Sequence, residues 1–328
     1  MITDCKLKTT FLLTMAAVSV FAEPTVTDVV AKQRFPWNGL VDITCKVTGI
    51  GGTAQKLFDV AAVMPDTGNV RNASHYWVVQ NGTKSTDLAV RTNGTYRLVW
   101  DASADLGQVT YDNMVVRVYL DAHDGIQLWE GGPYWATTNI GAENPEDYGY
   151  YFWWGDTIGY KRENNAWVAT DGSSSNFSFN EANTPTYNNS IGALKRGGWI
   201  TADEVLAPEH DAAHVHWDGS WRMPTYAEIS ALIANCTTEW ITTNGVSGRL
   251  ITGKGAYADR SIFLPAAGRG TGSSLLGTGS AVDFWSSTPD SYHSPHAWAL
   301  TFYSSYFDWD TTLRYGGQSV RPVRGFAE

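Results

Sequence analysis

Seven consecutive residues, Val41-Asp42-Ile43-Thr44-Cys45-Lys46-Val47, alternate apolar and polar without a break. A period of two sends successive side chains to opposite faces of a strand, so Val41, Ile43, Cys45 and Val47 are predicted to share a buried face and Asp42, Thr44 and Lys46 to meet water. Short apolar runs rich in β-branched residues recur at 26–30, 58–64, 96–100 and 114–120. Turn chemistry separates these runs at Gly49-Ile50-Gly51-Gly52, Pro65-Asp66-Thr67-Gly68, Asn81-Gly82 and Asn93-Gly94, where glycine and asparagine tolerate positive φ and proline pre-sets it. The pattern predicts an all-β, immunoglobulin-like sandwich over 23–121. From 122 to 132 (AHDGIQLWEGG) the alternation lapses and glycine rises, which predicts a linker there and a second domain over 133–328. In that domain the 3.6-residue period is clearest at 226–236, where Tyr226, Ile229, Leu232, Ile233 and Cys236 fall on one face behind a Thr225/Glu228 capping box. A shorter helix is expected at 201–206 with Glu204 as its capping acid, and the glycine-rich stretch 268–279 is expected to be a surface loop.

The extreme N-terminus changes the picture. Lys6 and Lys8 precede the apolar run 11–21, and Val20-Phe21-Ala22 puts compact residues at the positions a signal peptidase reads. That order predicts a signal peptide over 1–22 with cleavage near Ala22, and a product secreted or held at the cell surface, with no membrane span. Only 17% of the 328 residues are charged and the formal net charge is −10. This balance argues for a folded chain whose surface repels nucleic acid and anionic membranes. After removal of Cys5 the cysteines are Cys45 and Cys236, one in each proposed domain, so no disulfide framework is expected.

The stretch 284–324 is unusual in its palette: Tyr, Trp, Phe, Ser, His and Asp crowd together with few aliphatic residues. Flat aromatics interleaved with small hydrogen-bonding residues are the composition of recognition surfaces. The expected ligand-binding residues are Tyr292, His293, His296, Trp298, Tyr303, Tyr306, Asp308, Trp309, Asp310 and Tyr315. Trp285, Trp298, Phe302 and Val320 could equally be inward strand positions of an aromatic core.

Nine ordered segments give the second domain a family resemblance: Trp135-Ala136-Thr137-Thr138-Asn139-Ile140-Gly141-Ala142, the run 145–155 (PEDYGYYFWWG), Asp211-Ala212-Ala213, Trp221-Arg222-Met223-Pro224-Thr225, Glu228, Asn244-Gly245-Val246-Ser247-Gly248, Phe263-Leu264-Pro265-Ala266-Ala267-Gly268, Phe284-Trp285-Ser286-Ser287 and Ser319-Val320-Arg321-Pro322-Val323-Arg324. Together they resemble the Fibrobacter succinogenes major paralogous (FISUMP) domain of secreted bacterial proteins. The resemblance implies an α+β, C-type-lectin-like fold, shared with formylglycine-generating enzymes and with the variable proteins of diversity-generating retroelements. Formylglycine-generating enzymes need reactive cysteines late in the domain, and none follows Cys236, so that activity is rejected. Lectin-type calcium capture is doubtful, because Glu143-Asn144-Pro145 and Asp308-Trp309-Asp310 are misordered and misplaced relative to the lectin motifs. A structural calcium elsewhere is left open, and no cofactor is assigned. Variable proteins diversify an exposed segment just before the C-terminus, and 291–315 matches it in place and palette.

Other chemistry is weakly signalled. His210, His214 and His216 lack the surrounding pattern of a zinc enzyme and are read as surface histidines. Glu143, Glu146, Asp147, Asp156, Asp308 and Asp310 could supply a glycosidase pair, with Trp153 and Trp154 to stack on sugar, but no spacing selects two of them. Ser286-Ser287 lacks the glycines of a nucleophile elbow, and 268–279 lacks the lysine of a phosphate loop. Arg222, Arg321 and Arg324 are read as structural, paired with acids such as Asp211 or Glu228. The expectation is an exported, non-catalytic binding protein whose partner is a glycan or a surface protein. Its alternatives are a secreted carbohydrate-active enzyme, an accessory glycan-binding module and a structural cell-surface component.

Overall fold

A computed structural model describes residues 24–50, 56–63, 70–85, 87–107, 114–217 and 220–325. The expected signal peptide, the turn at 65–68 and the second half of the turn at 49–52 lie outside the described residues. The strands of the first half are β1 (Thr25–Gln33), β2 (Leu40–Thr48), β3 (Lys56–Val63), β4 (Val70–Asn72), β5 (Tyr76–Gln80), β6 (Thr83–Ser85), β7 (Ala89–Val90), β8 (Gly94–Asp101) and β9 (Val115–Leu120), with one short helix, α1 (Ala102–Leu106). They form a sheet ordered β1-β2-β8-β5-β6 and a second in which β3 pairs with β4, β7 and β9. The alternation of β2 is realised: Val41, Ile43, Cys45 and Val47 are buried. They join Tyr76, Val78, Leu98 and Trp100 of their own sheet and Phe58, Val60, Ala62 and Val118 of the other in one core. Burial pushes the Cys45 thiol up to about 11, so it packs as a small apolar group. The sequence runs had left out β4 to β7, whose short strands are too brief to carry a period.

The second half begins with β10 (Gly125–Gln127) and β11 (Tyr134–Ala136) and continues through β12 (Tyr160–Glu163), β13 (Ala166–Ala169), α2 (Ile191–Arg196), α3 (Ala212–Trp217), β14 (Trp221–Arg222) and α4 (Tyr226–Asn235). It closes with β15 (Cys236–Thr243), β16 (Val246–Gly253), β17 (Ser261–Pro265), β18 (Arg269–Thr271), β19 (Ser274–Leu276), β20 (Ala281–Pro289), β21 (His296–Tyr303), β22 (Tyr306–Leu313) and β23 (Val323–Arg324). Strands hold 48% of the structure and helices 13%, so sheet outweighs helix even where an α+β domain was expected. The helix α4 stands where its period placed it, with both halves of the Thr225/Glu228 capping box formed.

Three local expectations are corrected. The segment 122–132 is not a free linker: β10 pairs with β11, and Leu128 is fully buried. Its strand is legible only through its partner, since three residues carry no period. No helix forms at 201–206; Ile200 bridges Leu206, and Glu204 takes a positive φ of 61° and pairs with Lys195 at 2.8 Å. The stretch 268–279 contains the β18–β19 hairpin, because Gly270 must pass edge-on against Phe179, where a Cβ would lie 2.6 Å from the ring.

The two halves meet across β3. Its Phe58, Val60 and Ala62 enter the first core, and so does Leu57, one step out of phase, in a part of that core completed by Tyr134, Ala136 and Trp221 of the second half. Gly125 lies so close to that part that a Cβ would sit 2.9 Å from Leu57 and 3.0 Å from Trp221. Arg324, at the C-terminal end of β23, is 1% exposed and spans the contact. Its Nη1 donates to Asp121 at 2.7 Å, and its Nη2 donates to Asp59 at 3.0 Å, to the Phe58 carbonyl and to the Tyr76 hydroxyl. Trp221 donates to the same Asp121 oxygen at 2.7 Å, and the Leu88 amide donates to the Tyr134 hydroxyl. Burial alone would lower the Arg324 guanidinium, but Tyr76, Asp59 and Asp121 together hold it above its usual value. Two carboxylates share this one cation. Burial, reinforced by Asp121, pushes Asp59 up to about 6 against the pull of Arg324, whereas His123 and Arg324 hold Asp121 below the usual range despite its burial.

Removing the cation strands two buried carboxylates, so Arg324→Ala should cost about 3–5 kcal/mol of unfolding free energy, measured by denaturant titration at neutral pH. Asp59→Asn tests the sign of the linkage. A folded-state pKa raised to about 6 stabilises fully below the unfolded value near ~3.9 and loses that contribution as pH rises through about 6. The stability of Asp59→Asn relative to the parent should therefore climb between these limits by up to ~3 kcal/mol.

Candidate functional site

The aromatic stretch folds as a three-stranded antiparallel sheet, β20-β21-β22, with Phe284 opposite Leu300, Leu300 opposite Trp309, Thr301 opposite Asp308 and Tyr303 opposite Tyr306. Alternation then divides the candidate residues between two faces. One face carries Trp298 and Trp309 and is covered by α4. Tyr226 packs on Trp298 at 4.4 Å and on Trp309 at 5.4 Å, and the two indoles meet edge to face at 5.2 Å. Further along this face Leu300 and Phe302 are buried in the core with Val282 and Phe284. Trp298 is thus a half-buried packing residue, as its alternative reading as an inward strand position had it. Trp309 keeps 39% of its surface exposed at the rim.

The opposite face presents Tyr303, Tyr306, Asp308 and Asp310 together. The two phenol rings stack at 5.1 Å with planes 15° apart. Behind them stands Asp283 of β20, which sequence reading had missed inside the apolar run AVDFW. Its Oδ1 accepts from the Thr301 hydroxyl at 2.7 Å and its Oδ2 lies 3.6 Å from Nη1 of Arg269. Burial raises the Asp283 carboxyl, with the charge of Asp310 adding to the effect. The string Asp308-Trp309-Asp310 is therefore split by the strand, its two acids on one side and its indole on the other.

The turn joining β21 to β22 is held by a residue that no motif signalled. Arg249 of β16 donates Nη2 to the carbonyls of Tyr303, Ser304 and Tyr306 at 2.8, 3.0 and 3.2 Å, and Nη1 to Thr238 at 3.0 Å. Three carbonyls converging on one guanidinium fix the direction in which the Tyr303–Tyr306 stack is displayed. Burial lowers the Arg249 guanidinium, the electrostatic cost of placing a cation there without a carboxylate.

The remaining candidates lie at the other end of the sheet. Asp290, 2% exposed, accepts from the Tyr292 amide and from His293 Nδ1, both at 2.8 Å. It thereby orders a loop from which Tyr292 projects with 86% exposure. His296 starts β21 half-buried, held by burial below the usual imidazole range. Tyr315 packs on Tyr187 at 5.4 Å. Beside it the fully buried Arg314 donates to the carbonyls of His296, Thr186 and Asn189 and lies over the Trp154 ring at 4.8 Å. The ten candidates thus form no single patch: four share the open face, Trp298 and Trp309 lie on the covered one, and the rest surround the sheet's far end.

Other sequence candidates are occupied structurally. Trp154 is fully buried, donating to the Ser286 carbonyl at 2.9 Å. Asp147 accepts from the Asn144 amide, Glu146 from the Asn244 amide group, and Asp156 from the amides of Ile158 and Gly159. His210 stacks on Trp199 at 4.0 Å and His216 contacts the Thr157 carbonyl at 3.0 Å. Among the described residues, no three His, Cys, Asp or Glu side chains gather as a metal site. Arg222 forms a two-bond pair with Glu228, and Arg321 bonds Asn139 and the carbonyls of Ala136 and Phe263. Ser286 Oγ donates to the Trp298 carbonyl at 2.7 Å. Burial pushes the Cys236 thiol up to about 11.

Comparison with known proteins finds no matching family model, no matching curated protein and no matching solved structure. No helix among the described residues is long and apolar enough to cross a membrane.

Arg249→Met should free the three turn carbonyls. Amide exchange at 303–307 should accelerate while the β10–β11 amides keep their protection, at a stability cost of about 1–3 kcal/mol. Unchanged exchange at the turn would show that the hairpin holds its own shape.

Proposed function

We propose that this chain is an exported, non-catalytic binding protein, in which an immunoglobulin-like β-sandwich carries a C-type-lectin-like domain of the FISUMP kind. Its ligand, a glycan or a surface-protein epitope, is taken by the face bearing Tyr303, Tyr306, Asp308 and Asp310. One observation carries the reading: these four side chains stand on the solvent side of a hairpin whose other side is packed under α4, and whose turn is fixed by Arg249. Stacked phenols offer apolar area that loses little entropy on binding, and the adjacent carboxylates accept hydrogen bonds from hydroxyl or ammonium groups. The same geometry supports diversification of 291–315 by a retroelement, because the outward positions can change while Leu300, Phe302 and Arg314 keep the scaffold. A reverse transcriptase gene beside a near-copy of that coding segment tests this.

A hydrolytic reading has one observation in its favour, the buried Asp283 with its raised carboxyl beside Asp310. Release of reducing sugar from a polysaccharide, abolished by Asp283→Asn, would establish it.

In a glycan array and a cell-surface binding screen, the double variant Tyr303→Ala/Tyr306→Ala should lose binding at least ~10-fold, the equivalent of ~1.4 kcal/mol. Asp308→Asn/Asp310→Asn should weaken it as well. Both should keep the parent melting temperature. Full binding by the first variant, or its collapse, would falsify the reading.

A further inference from the structure

The outer face of the first sheet is charged opposite to the protein as a whole. Its rows run Lys32, Asp42, Val99 and Trp77 across β1, β2, β8 and β5, then Thr44 and Arg97, then Lys46 and Thr95. Lys84, paired with Val79, extends over the Trp77 ring at 4.6 Å. Lys32, Lys46, Lys84 and Arg97 are exposed. Two acids share this face: Asp42, held by Arg34 through two bonds of 2.8 Å with Arg97 at 3.8 Å, and Asp101, opposite Leu40 at the near end, which accepts from the Ser103 hydroxyl and the Ala104 amide. Asp28 sits in the bulge at the far end of β1.

At the near end of this face the β1–β2 turn displays two aromatic rings to solvent, Phe35 at 85% exposure and Trp37 at 68%. The turn that carries them is built to hold still. The Arg34 amide donates to the Leu40 carbonyl at 2.9 Å, the Leu40 amide to Asn38 Oδ1 at 3.1 Å, and the Ala102 amide to the Gly39 carbonyl at 2.9 Å. Gly39, at φ 78°, lies where a Cβ would be 2.4 Å from Ser103 Oγ. A rigid turn that spends its hydrogen bonds on keeping a Phe and a Trp in water points to an apolar phase or pocket that receives them.

We propose that this face docks peripherally on an anionic lipid surface, with Phe35 and Trp37 entering the headgroup region and the basic side chains lying over the phosphates. The formal charge of −10 predicts repulsion from such a surface. Screening confines each charge to about 8–10 Å, so the docking face meets its own cations and not the acids elsewhere. The two rings stand 6.1 Å apart with planes at 81°. That geometry offers no flat platform for a sugar, which favours lipid over an acidic polysaccharide; an interface accepts aromatic rings in any orientation.

Flotation of the purified chain with phosphatidylcholine vesicles, with and without phosphatidylglycerol, tests the proposal. The chain should float with the anionic vesicles at low salt, remain behind with the neutral ones, and be released by high salt. Phe35→Ser/Trp37→Ser should abolish flotation, and Lys46→Gln and Arg97→Gln should each weaken it about fivefold. Tyr303→Ala/Tyr306→Ala should float like the parent, which separates this surface from the ligand face of the second half. No flotation with anionic vesicles, or flotation undiminished in the Phe35/Trp37 variant, overturns it. Capture by soluble polygalacturonate without vesicle binding also overturns it, in favour of an acidic polymer. The charge variants keep the test decisive if the aromatic variant misfolds.

Discussion

A guanidinium buried near the end of the chain governs how the rest is arranged. Desolvating a cation costs several kcal/mol unless its donors are met, and Arg324 finds Asp59, Asp121, the Phe58 carbonyl and the Tyr76 hydroxyl in the first half. Those acceptors belong to β3, to Tyr76 at the start of β5 and to Asp121, the residue after β9. Once they are committed to Arg324, β3 has no solvent side. It is buried on both faces, and the run Phe58-Asp59-Val60-Ala61-Ala62 follows from that, with an acid in the middle of a continuous apolar strand. The halves therefore do not behave as beads on a tether. The segment 122–132, read as a tether from its glycines, starts the second half's first sheet and contributes Leu128 to the second core.

The same alternation that places the core also disperses the aromatic stretch. Composition identified a recognition palette over 284–324, but composition has no phase. Strand geometry assigns Trp298 and Trp309 to the side under α4 and Tyr303, Tyr306, Asp308 and Asp310 to the side facing water. The phase was present in the sequence, since Leu300, Phe302 and Trp298 share one parity; what the sequence lacked was α4, whose Tyr226 covers Trp298 and Trp309, and the packing that buries Trp285, Ala297 and Ala299 of the other parity and leaves only its far part open. Arg249 was invisible for a related reason. Its role depends on β16 lying beside the hairpin turn, a contact 54 to 57 residues away along the chain.

Legibility followed the length of each periodic signal. The seven-residue alternation of β2 and the capped face of α4 were read correctly, down to Cys45 packing inward. The two- and three-residue strands β10, β14 and β23 were not, because they exist only as partners in a sheet assembled from distant segments. At 201–206 a capping-box pattern misled, since Glu204 is drawn off by Lys195 into a left-handed turn. The nine family-like segments fall largely in buried positions, Trp135, Trp221, Phe284, Val320, Arg321 and Arg324 among them. They describe how the scaffold is built, and the proposed binding face lies outside them.

Charge follows the same logic. Formal net charge treats every ionised group as though it faced solvent, yet Arg314, Arg321 and Arg324 of the second half are no more than 1% exposed. Burial lowers Arg314 to about 10 and Arg321 to about 9, since each finds carbonyls and amides in place of a carboxylate. Asp156, Asp211, Asp283 and Asp290 of the same half are buried as well, so the withdrawal is balanced and the exterior keeps the acidic excess of the sequence, with Asp308 and Asp310 on it. In the first half Asp59 and Asp121 are buried beside Arg324, while Lys32, Lys46, Lys84 and Arg97 stay outside. The junction thus takes two acids from one half and a cation from the other, so the contact that joins them shifts the first surface toward positive charge and the second toward negative.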